Sequence, residues 1–104
     1  MAQQIIWGCV NANGSTYSGT GFTPVPPNSP GVYNVVYTVP FKTTPAVVAI
    51  ENWTSWTDFN YTRGDTRDNC VLVASDPTKF EIITGDSGGN KTNRNFSFIA
   101  IGEV

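Results

Sequence analysis

The side chains best suited to ligand recognition are concentrated in residues 53–69, between two apolar segments. This stretch holds two tryptophans, two other aromatic residues and five charged residues. An aromatic face packs on the C–H side of a sugar ring, while carboxylate, amide and guanidinium groups hydrogen-bond its hydroxyls. The pattern predicts a carbohydrate-binding surface. Its candidate residues in this stretch are Trp56, Tyr61, Arg63, Asp65, Arg67, Asp68 and Asn69.

Two other interpretations of the same stretch stay open. In the first, Trp53 and Phe59 lie beneath the loop as a small core of its own, and Asp and Arg side chains pair across it. In the second, the aromatic residues contact another protein. The tripeptide Arg63-Gly64-Asp65 spells an integrin-binding motif, but a turn with solvated charges is the expected structure for so short a match.

The absence of histidine excludes the common catalytic groups built on that base. Residues 85–89 (GDSGG) match the segment around the nucleophile of trypsin-like serine proteases, whose serine needs a histidine to take its proton. We therefore predict a glycine-rich turn here and a chain that is not an enzyme. Acid–base work by paired carboxylates is the remaining catalytic alternative. The acidic residues it would draw on are Asp58, Asp65, Asp68 and Asp86.

Metal and redox chemistry have little support in the spacing of the ligand-type residues. Asp65, Asp68 and Asn69 offer hard oxygens, as do Asp86 and Asn90, but neither group has the spacing of an EF-hand loop. We predict no metal site and no cofactor. Cys9 and Cys70 lack a C-x-x-C arrangement, so buried free thiols are favoured over a zinc or redox site, with a disulfide as the alternative.

Charge and hydropathy restrict the partners. Charged residues make up 13% of the chain, against about 25% in a typical soluble domain. The net charge of −2 provides no basic field for nucleic acid. No apolar run approaches the length of a membrane span, and no signal peptide is visible at residues 1–4. The location of the protein is therefore undetermined, with association with a virion and secretion by a non-classical route both open.

Short apolar segments separated by turn residues predict β-strands throughout, since no segment has a sustained helical period. The predicted strands cover residues 4–10, 16–22, 32–39, 46–53, 70–75, 80–84 and 96–104. Residues 24–30, with four prolines, are expected to form a stiff extended connection. We predict an all-β fold, an antiparallel β-sandwich of six to seven strands, with residues 1–104 as a single domain.

The closing segment is apolar on both of its faces. Phe96, Phe98 and Ala100 alternate with Ile99 and Ile101. A strand of this type sits centrally in a sheet or in a contact between subunits. Together with the low charge, it favours a symmetric oligomer.

The second half of the chain resembles the H-type lectin family. The resemblance rests on residues 41–50 (FKTTPAVVAI), residues 79–83 (KFEII) and the closing strand at residues 96–102 (FSFIAIG), where Phe98 replaces the usual tryptophan. The lead-in formed by residues 19–22 (GTGF) and 31–33 (GVY) is similar to related domains at the tips of phage tail fibres, and to C1q-type jelly rolls.

The resemblance implies a trimer of β-sandwiches that binds N-acetylgalactosamine-like sugars at subunit junctions. It would place the sugar between the loop before the closing strand and the start of the arginine-containing strand. Those positions hold Asp86, Ser87 and Asn90, and Arg67, Asp68 and Asn69. The expected function is therefore a non-enzymatic carbohydrate-binding (lectin-like) or receptor-binding module that acts as a homotrimer on a glycan or glycosylated receptor. A structural or assembly protein, such as a phage tail-fibre tip or virion component, is the alternative.

Overall fold

The structure is a computed structural model that describes residues 2–104. Eight β-strands and no helix occur in this range. In chain order the strands are β1 (Gln3–Val10), β2 (Thr16–Gly19), β3 (Phe22–Val25), β4 (Val32–Tyr37), β5 (Ala46–Asn52), β6 (Asn69–Ser75), β7 (Lys79–Gly85) and β8 (Asn95–Glu103).

The strands form two four-stranded sheets with entirely antiparallel neighbours. The first sheet has the order β2-β1-β8-β5, and the second has the order β3-β4-β7-β6. In β4 and β7 every second side chain is buried against the opposite sheet, as expected of a strand with one face in the core. The prediction of an all-β, sandwich-like antiparallel fold is confirmed.

The predicted count of six to seven strands was wrong, because the segment at residues 16–22 divides in two. Glycines at 19 and 21 take positive φ values of 101° and 91° and turn the chain between the sheets. Phe22 then begins β3, which pairs with β4 and includes Pro24 opposite Val35. Part of the expected proline-rich connection is therefore an edge strand, where a proline is tolerated because its missing N–H would face solvent.

Alternate side chains of β4 form one side of the core. Tyr33, Val35 and Tyr37 are buried, as their spacing predicted. Val39, predicted on the same face, is 53% exposed because β4 ends two residues earlier. The Tyr33 hydroxyl is satisfied inside the protein, where it donates to the carbonyl oxygen of Ala12 at 2.6 Å.

Phe98 lies at the centre of an aromatic cluster between the sheets. Its ring centroid is 5.0 Å from that of Phe22 and 4.8 Å from that of Phe80, both in edge-to-face geometry. These rings come from β8, β3 and β7, so the cluster joins both sheets. Edge-to-face aromatic pairs stabilise a core by about 0.5–1.5 kcal/mol beyond area burial.

The closing strand β8 is central in its sheet, between β1 and β5, as its doubly apolar pattern predicted. Phe96, Phe98 and Ala100 fill the interior, whereas Ile99 and Ile101 point outward and are 54% and 39% exposed. The sheet therefore buries one apolar face and leaves the other uncovered in the single chain.

The two cysteines lie on different sheets and both are free and partly buried. Cys70 packs against the core, and burial raises the pKa of its thiol to about 12. Within residues 2–104, no helix is long and apolar enough to cross a membrane.

Candidate functional site

Two connections meet at one end of the molecule: the β5–β6 loop (residues 53–68) and the β7–β8 loop (residues 86–94). Asp68 of the first loop and Arg94 of the second approach to 3.8 Å. The β1–β2 turn reaches the same end, where the Asn95 side chain accepts a hydrogen bond from the Ala12 backbone N–H at 2.8 Å. We call this region the loop end.

A buried ion cluster supports the loop end. The Arg94 guanidinium lies 3.6 Å from a carboxylate oxygen of Glu51, whose side chain is only 3% exposed. Glu51 also accepts the Gly85 backbone N–H at 3.1 Å, which connects β5 to the end of β7. Burial raises the pKa of Glu51, partly offset by the Gly85 hydrogen bond and by Arg94. The cluster holds the two loops against the sandwich.

Trp53 is held by two cations rather than by an apolar core. The guanidinium carbons of Arg63 and Arg94 lie 6.0 and 5.7 Å from its ring centroid. Such cation–π contacts contribute about 0.5–2 kcal/mol each, depending on their exposure. Trp53 remains 37% exposed, and Phe59 is 95% exposed. The interpretation in which both rings form a small core beneath the loop is therefore wrong for Phe59.

Four of the predicted residues share an open cavity with Trp53, which we call the Trp53 cavity. It has a volume of about 290 Å³. The predicted residues on its walls are Tyr61, Arg63, Asp65 and Asp68. Tyr61 is 96% exposed, so its ring is a free aromatic face at the rim. The cavity combines an aromatic surface with hydrogen-bond donors and acceptors.

Three other predicted residues line a neighbouring cavity of about 330 Å³, which we call the Arg67 cavity. They are Arg67, Asn69 and Asp86, and Ser87 and Lys91 join them. Val71 and Ile83 supply apolar wall. The residues that the lectin resemblance would bring together do meet here in part, because β6 and β7 are paired neighbours.

Asp65 and Arg67 link the two cavities. The Arg67 Nε and Nη2 atoms donate to the two oxygens of Asp65 at 2.9 and 3.0 Å. These side-chain hydrogen bonds, with one from the Arg67 backbone, hold the pKa of Asp65 down to about 2. Arg63 similarly lies 3.4 Å from Asp58. The expected pairing of Asp and Arg within the loop is therefore present, and it coexists with the open cavities.

Trp56 and Asn90 lie outside both cavities. The Trp56 ring stacks on Tyr17 with centroids 4.9 Å apart, and its indole N–H donates to the Asn11 side chain at 2.9 Å. Trp56 thus fastens the loop to the β1–β2 turn. Asn90 faces Asp86, whose carboxylate accepts the backbone N–H groups of Asn90 and Gly88 at 3.0 and 2.9 Å. These hydrogen bonds, led by that from Asn90, lower the pKa of Asp86.

The two short motifs form turns, as expected. Gly89 in the GDSGG segment has φ of 82°, and Gly64 in the Arg-Gly-Asp tripeptide has φ of 76°. Among residues 2–104 there is no group of three or more His, Cys, Asp or Glu side chains placed to hold a metal ion. The acidic residues of the two groups with hard oxygens accept backbone N–H groups or pair with arginine. Asp68, for example, accepts the Asp65 N–H at 2.8 Å.

Glu51 and Arg94 support the candidate site but were absent from the set predicted from the sequence. Trp53 and Lys91, which line the two cavities, were also absent from that set. A signal for Glu51 was present. Glu51 lies two residues after Ala49 and four after Val47 in β5, so its side chain is expected on the core-facing side of the strand. A carboxylate buried there needs a cation or hydrogen-bond donors beside it. Arg94 lies in a polar connection and carries no comparable signal.

No protein-family model, no curated protein and no solved structure matches this chain. The resemblance to H-type lectins therefore stays a prediction from short sequence motifs.

Proposed function

We propose that this protein is a non-enzymatic carbohydrate-binding module that recognises a glycan, or a glycosylated receptor, at the loop end. The observation that carries the proposal is the Trp53 cavity, where Tyr61, Arg63, Asp65 and Asp68 surround one open space of about 290 Å³. This volume is near the lower end of ligand sites, which span about 300–1,000 Å³. An open, shallow site suits one sugar residue at the end of a chain.

The chemistry of the walls assigns a role to each side chain. Because Arg63 and Arg94 already lie over the Trp53 ring, the free aromatic face is that of Tyr61. Tyr61 would pack on the C–H side of the sugar. Asp68 would accept hydrogen bonds from its hydroxyls, and Arg63 would donate to its oxygens. Asp65 keeps acceptor capacity beside its bonds to Arg67, since an ionised carboxylate has about four acceptor sites.

The first experiment is a glycan array with the labelled protein, followed by titration calorimetry with the best ligand. Tyr61→Ala should weaken binding at least tenfold, because the aromatic platform is lost. Phe59→Ala is the matched control: Phe59 is 95% exposed in the same loop but lies outside the cavity. Equal binding by Tyr61→Ala and the wild type would contradict recognition in the Trp53 cavity. No binding to any glycan would contradict the carbohydrate-binding proposal as a whole.

A second variant separates the two cavities. Ser87→Trp should fill the Arg67 cavity and leave the Trp53 cavity open. If Ser87→Trp keeps the glycan affinity of the wild type, recognition is assigned to the Trp53 cavity. Loss in Ser87→Trp with retention in Tyr61→Ala moves recognition to the Arg67 cavity, where the lectin resemblance would place it.

A structural or assembly role, as in a fibre tip or virion component, is the second candidate. The observation that favours it is the uncovered apolar face of the β2-β1-β8-β5 sheet, which suits permanent contact with other subunits. The predicted homotrimer is compatible with both candidates. Specific agglutination of glycan-coated beads would support the lectin-like function over a purely structural one.

A further inference from the structure

The outward face of β1, β8 and β5 is a continuous apolar surface. Strand register places Ile5 beside Ile101, and Trp7, Ile99 and Val48 in the next row. The large apolar side chains of this face, each 39–72% exposed, are Ile5, Trp7, Val48, Ile50, Ile99 and Ile101. We call this surface the apolar face. It lies on the opposite side of the sheet from the core.

The apolar face is larger than isolated surface hydrophobes explain. Its six side chains offer on the order of 700 Å² of exposed surface, whereas the largest patch on a typical monomer is about 300–600 Å². Each partner in a standard protein interface contributes about 800 Å². The area therefore suffices for a stable contact once the polar rim is included.

We propose that a second copy of this chain covers the apolar face. The face provides both parts of a self-complementary contact, which is a requirement when like surfaces meet. Trp7 and Val48 are 51% and 72% exposed, and both line a groove of about 300 Å³ together with Cys9 and Ser97. Side chains that project from one copy can enter the groove of the other.

The distribution of charge favours a second copy of the chain, rather than a lipid surface, as the occupant of the apolar face. The outward positions of the three strands include no lysine or arginine, whereas surface-binding elements use basic residues to attract anionic lipids. The polar residues Gln3 and Glu103 close one end of the face, and Asn52 lies at the other. An apolar centre with a polar rim is the composition of a homomeric interface. The net charge of −2 per chain adds little repulsion between copies.

Val48→Asp tests the interface, because Val48 is 72% exposed and its replacement leaves the core intact. Light scattering at 20 µM should give two or more copies for the wild type and the 11.3 kDa single chain for Val48→Asp. The matched control is Val73→Asp, a 51% exposed valine on the other sheet, which should keep the wild-type mass. Near-UV circular dichroism verifies that both variants are folded.

Cys9 provides a second measurement, since it lies in the groove of the apolar face. Its alkylation by iodoacetamide should be at least tenfold faster in Val48→Asp than in the wild type. Cys70, partly buried with a pKa of about 12, is an internal reference whose slow alkylation should not change. A wild type that is monomeric at 100 µM, or an oligomer that Val48→Asp leaves intact, overturns the proposal. Either result leaves the glycan proposal standing, because the Trp53 cavity is made by one chain.

Discussion

Asp65 and Arg67 organise a long loop with side-chain and backbone hydrogen bonds instead of an apolar core. Asp65 accepts the Arg67 backbone N–H at 2.9 Å as well as two guanidinium bonds. Asp68 accepts the Asp65 N–H three residues back. Such local bonds are the reason that Asp favours turns. They hold a polar segment in one conformation while its outer surface stays available to a ligand.

The pairing with Arg67 predicts an unusually acidic carboxyl at Asp65. By carbon-detected NMR titration, the pKa of Asp65 should be about 2, well below its usual 3.8. Since the pKa is lowered in the folded state, the stabilising contribution is present above pH 3.8 and is lost as the pH falls through about 2.

In Arg67→Gln the pKa of Asp65 should rise towards 3.8. Asp76, whose pKa is lowered mainly by the Thr78 side chain, should titrate as in the wild type and is the control. An unchanged pKa for Asp65 in Arg67→Gln would show that the ion pair is not formed in solution.

Phe98 gives a prediction for the core. Phe98→Ala should lower the free energy of unfolding by about 3–5 kcal/mol, as expected for a fully buried aromatic ring. Only 2% of Phe98 is exposed, and its ring touches aromatic rings of both sheets. Denaturant titration measures the loss. Tyr61→Ala is the control, because that fully exposed ring should change stability by less than about 0.5 kcal/mol.

At the scale of elements, the loops of the loop end are held in place by hydrogen bonds to neighbouring strands and loops. The Gly31 backbone N–H, just before β4, donates to the Asn93 side chain at 2.7 Å. The Gly31 carbonyl in turn accepts the Thr84 N–H from β7 at 2.8 Å. The β7–β8 loop is therefore fixed against the start of β4, and the Arg67 cavity keeps its wall.

Gly31→Ala should disrupt this bracing. Gly31 has φ of 75°, and an added Cβ would overlap the Thr84 carbonyl oxygen and lie 2.9 Å from the Thr92 nitrogen. We expect a loss of about 3 kcal/mol or more, from strain and displaced backbone together. Gly89→Ala is the matched control, with φ of 82° but open space around the Cβ, and should cost about 1–2 kcal/mol. Equal losses in thermal unfolding would show that the close packing at Gly31 is unimportant.

At the scale of the whole molecule, low charge and a large apolar face occur together. With 13% charged residues and an uncovered face on one sheet, the isolated chain has little protection against non-specific association. A specific contact between copies removes this surface from water. Neither the Trp53 cavity nor the Arg67 cavity shares a lining residue with the groove of the apolar face, so an assembly would present several copies of both cavities and raise the avidity for a ligand bound there.

Assembly through the apolar face predicts that thermal stability depends on protein concentration. A tenfold increase should raise the Tm of the wild type by about 3–5 °C, because association stabilises the folded chain by mass action. The Tm of Val48→Asp should be independent of concentration. Scanning calorimetry at 10 and 100 µM makes the comparison, and a constant Tm for the wild type would contradict assembly in this range.

The local pattern of apolar residues was sufficient to predict the all-β class, because it depends on which side chains avoid water. Apolar residues on both faces of β8 predicted a central strand or a subunit contact, and β8 is central in its sheet. The core face of β4 follows from the same rule at Tyr33, Val35 and Tyr37. The strand count did not follow, because the division at Gly19 and Gly21 depends on which sheet receives Phe22.

For the candidate site too, the sequence predicted what depends on neighbouring residues and did not predict contacts between residues distant along the chain. Composition was enough to select the stretch at residues 53–69, because aromatic and charged side chains together are unusual in a loop. Only the tertiary structure decided that Trp56 stacks on Tyr17, that Tyr61 stays free, and that Glu51 and Arg94 meet beneath the loop. These contacts join residues that are distant along the chain, and their partners are set by sheet pairing and packing, which no local pattern encodes.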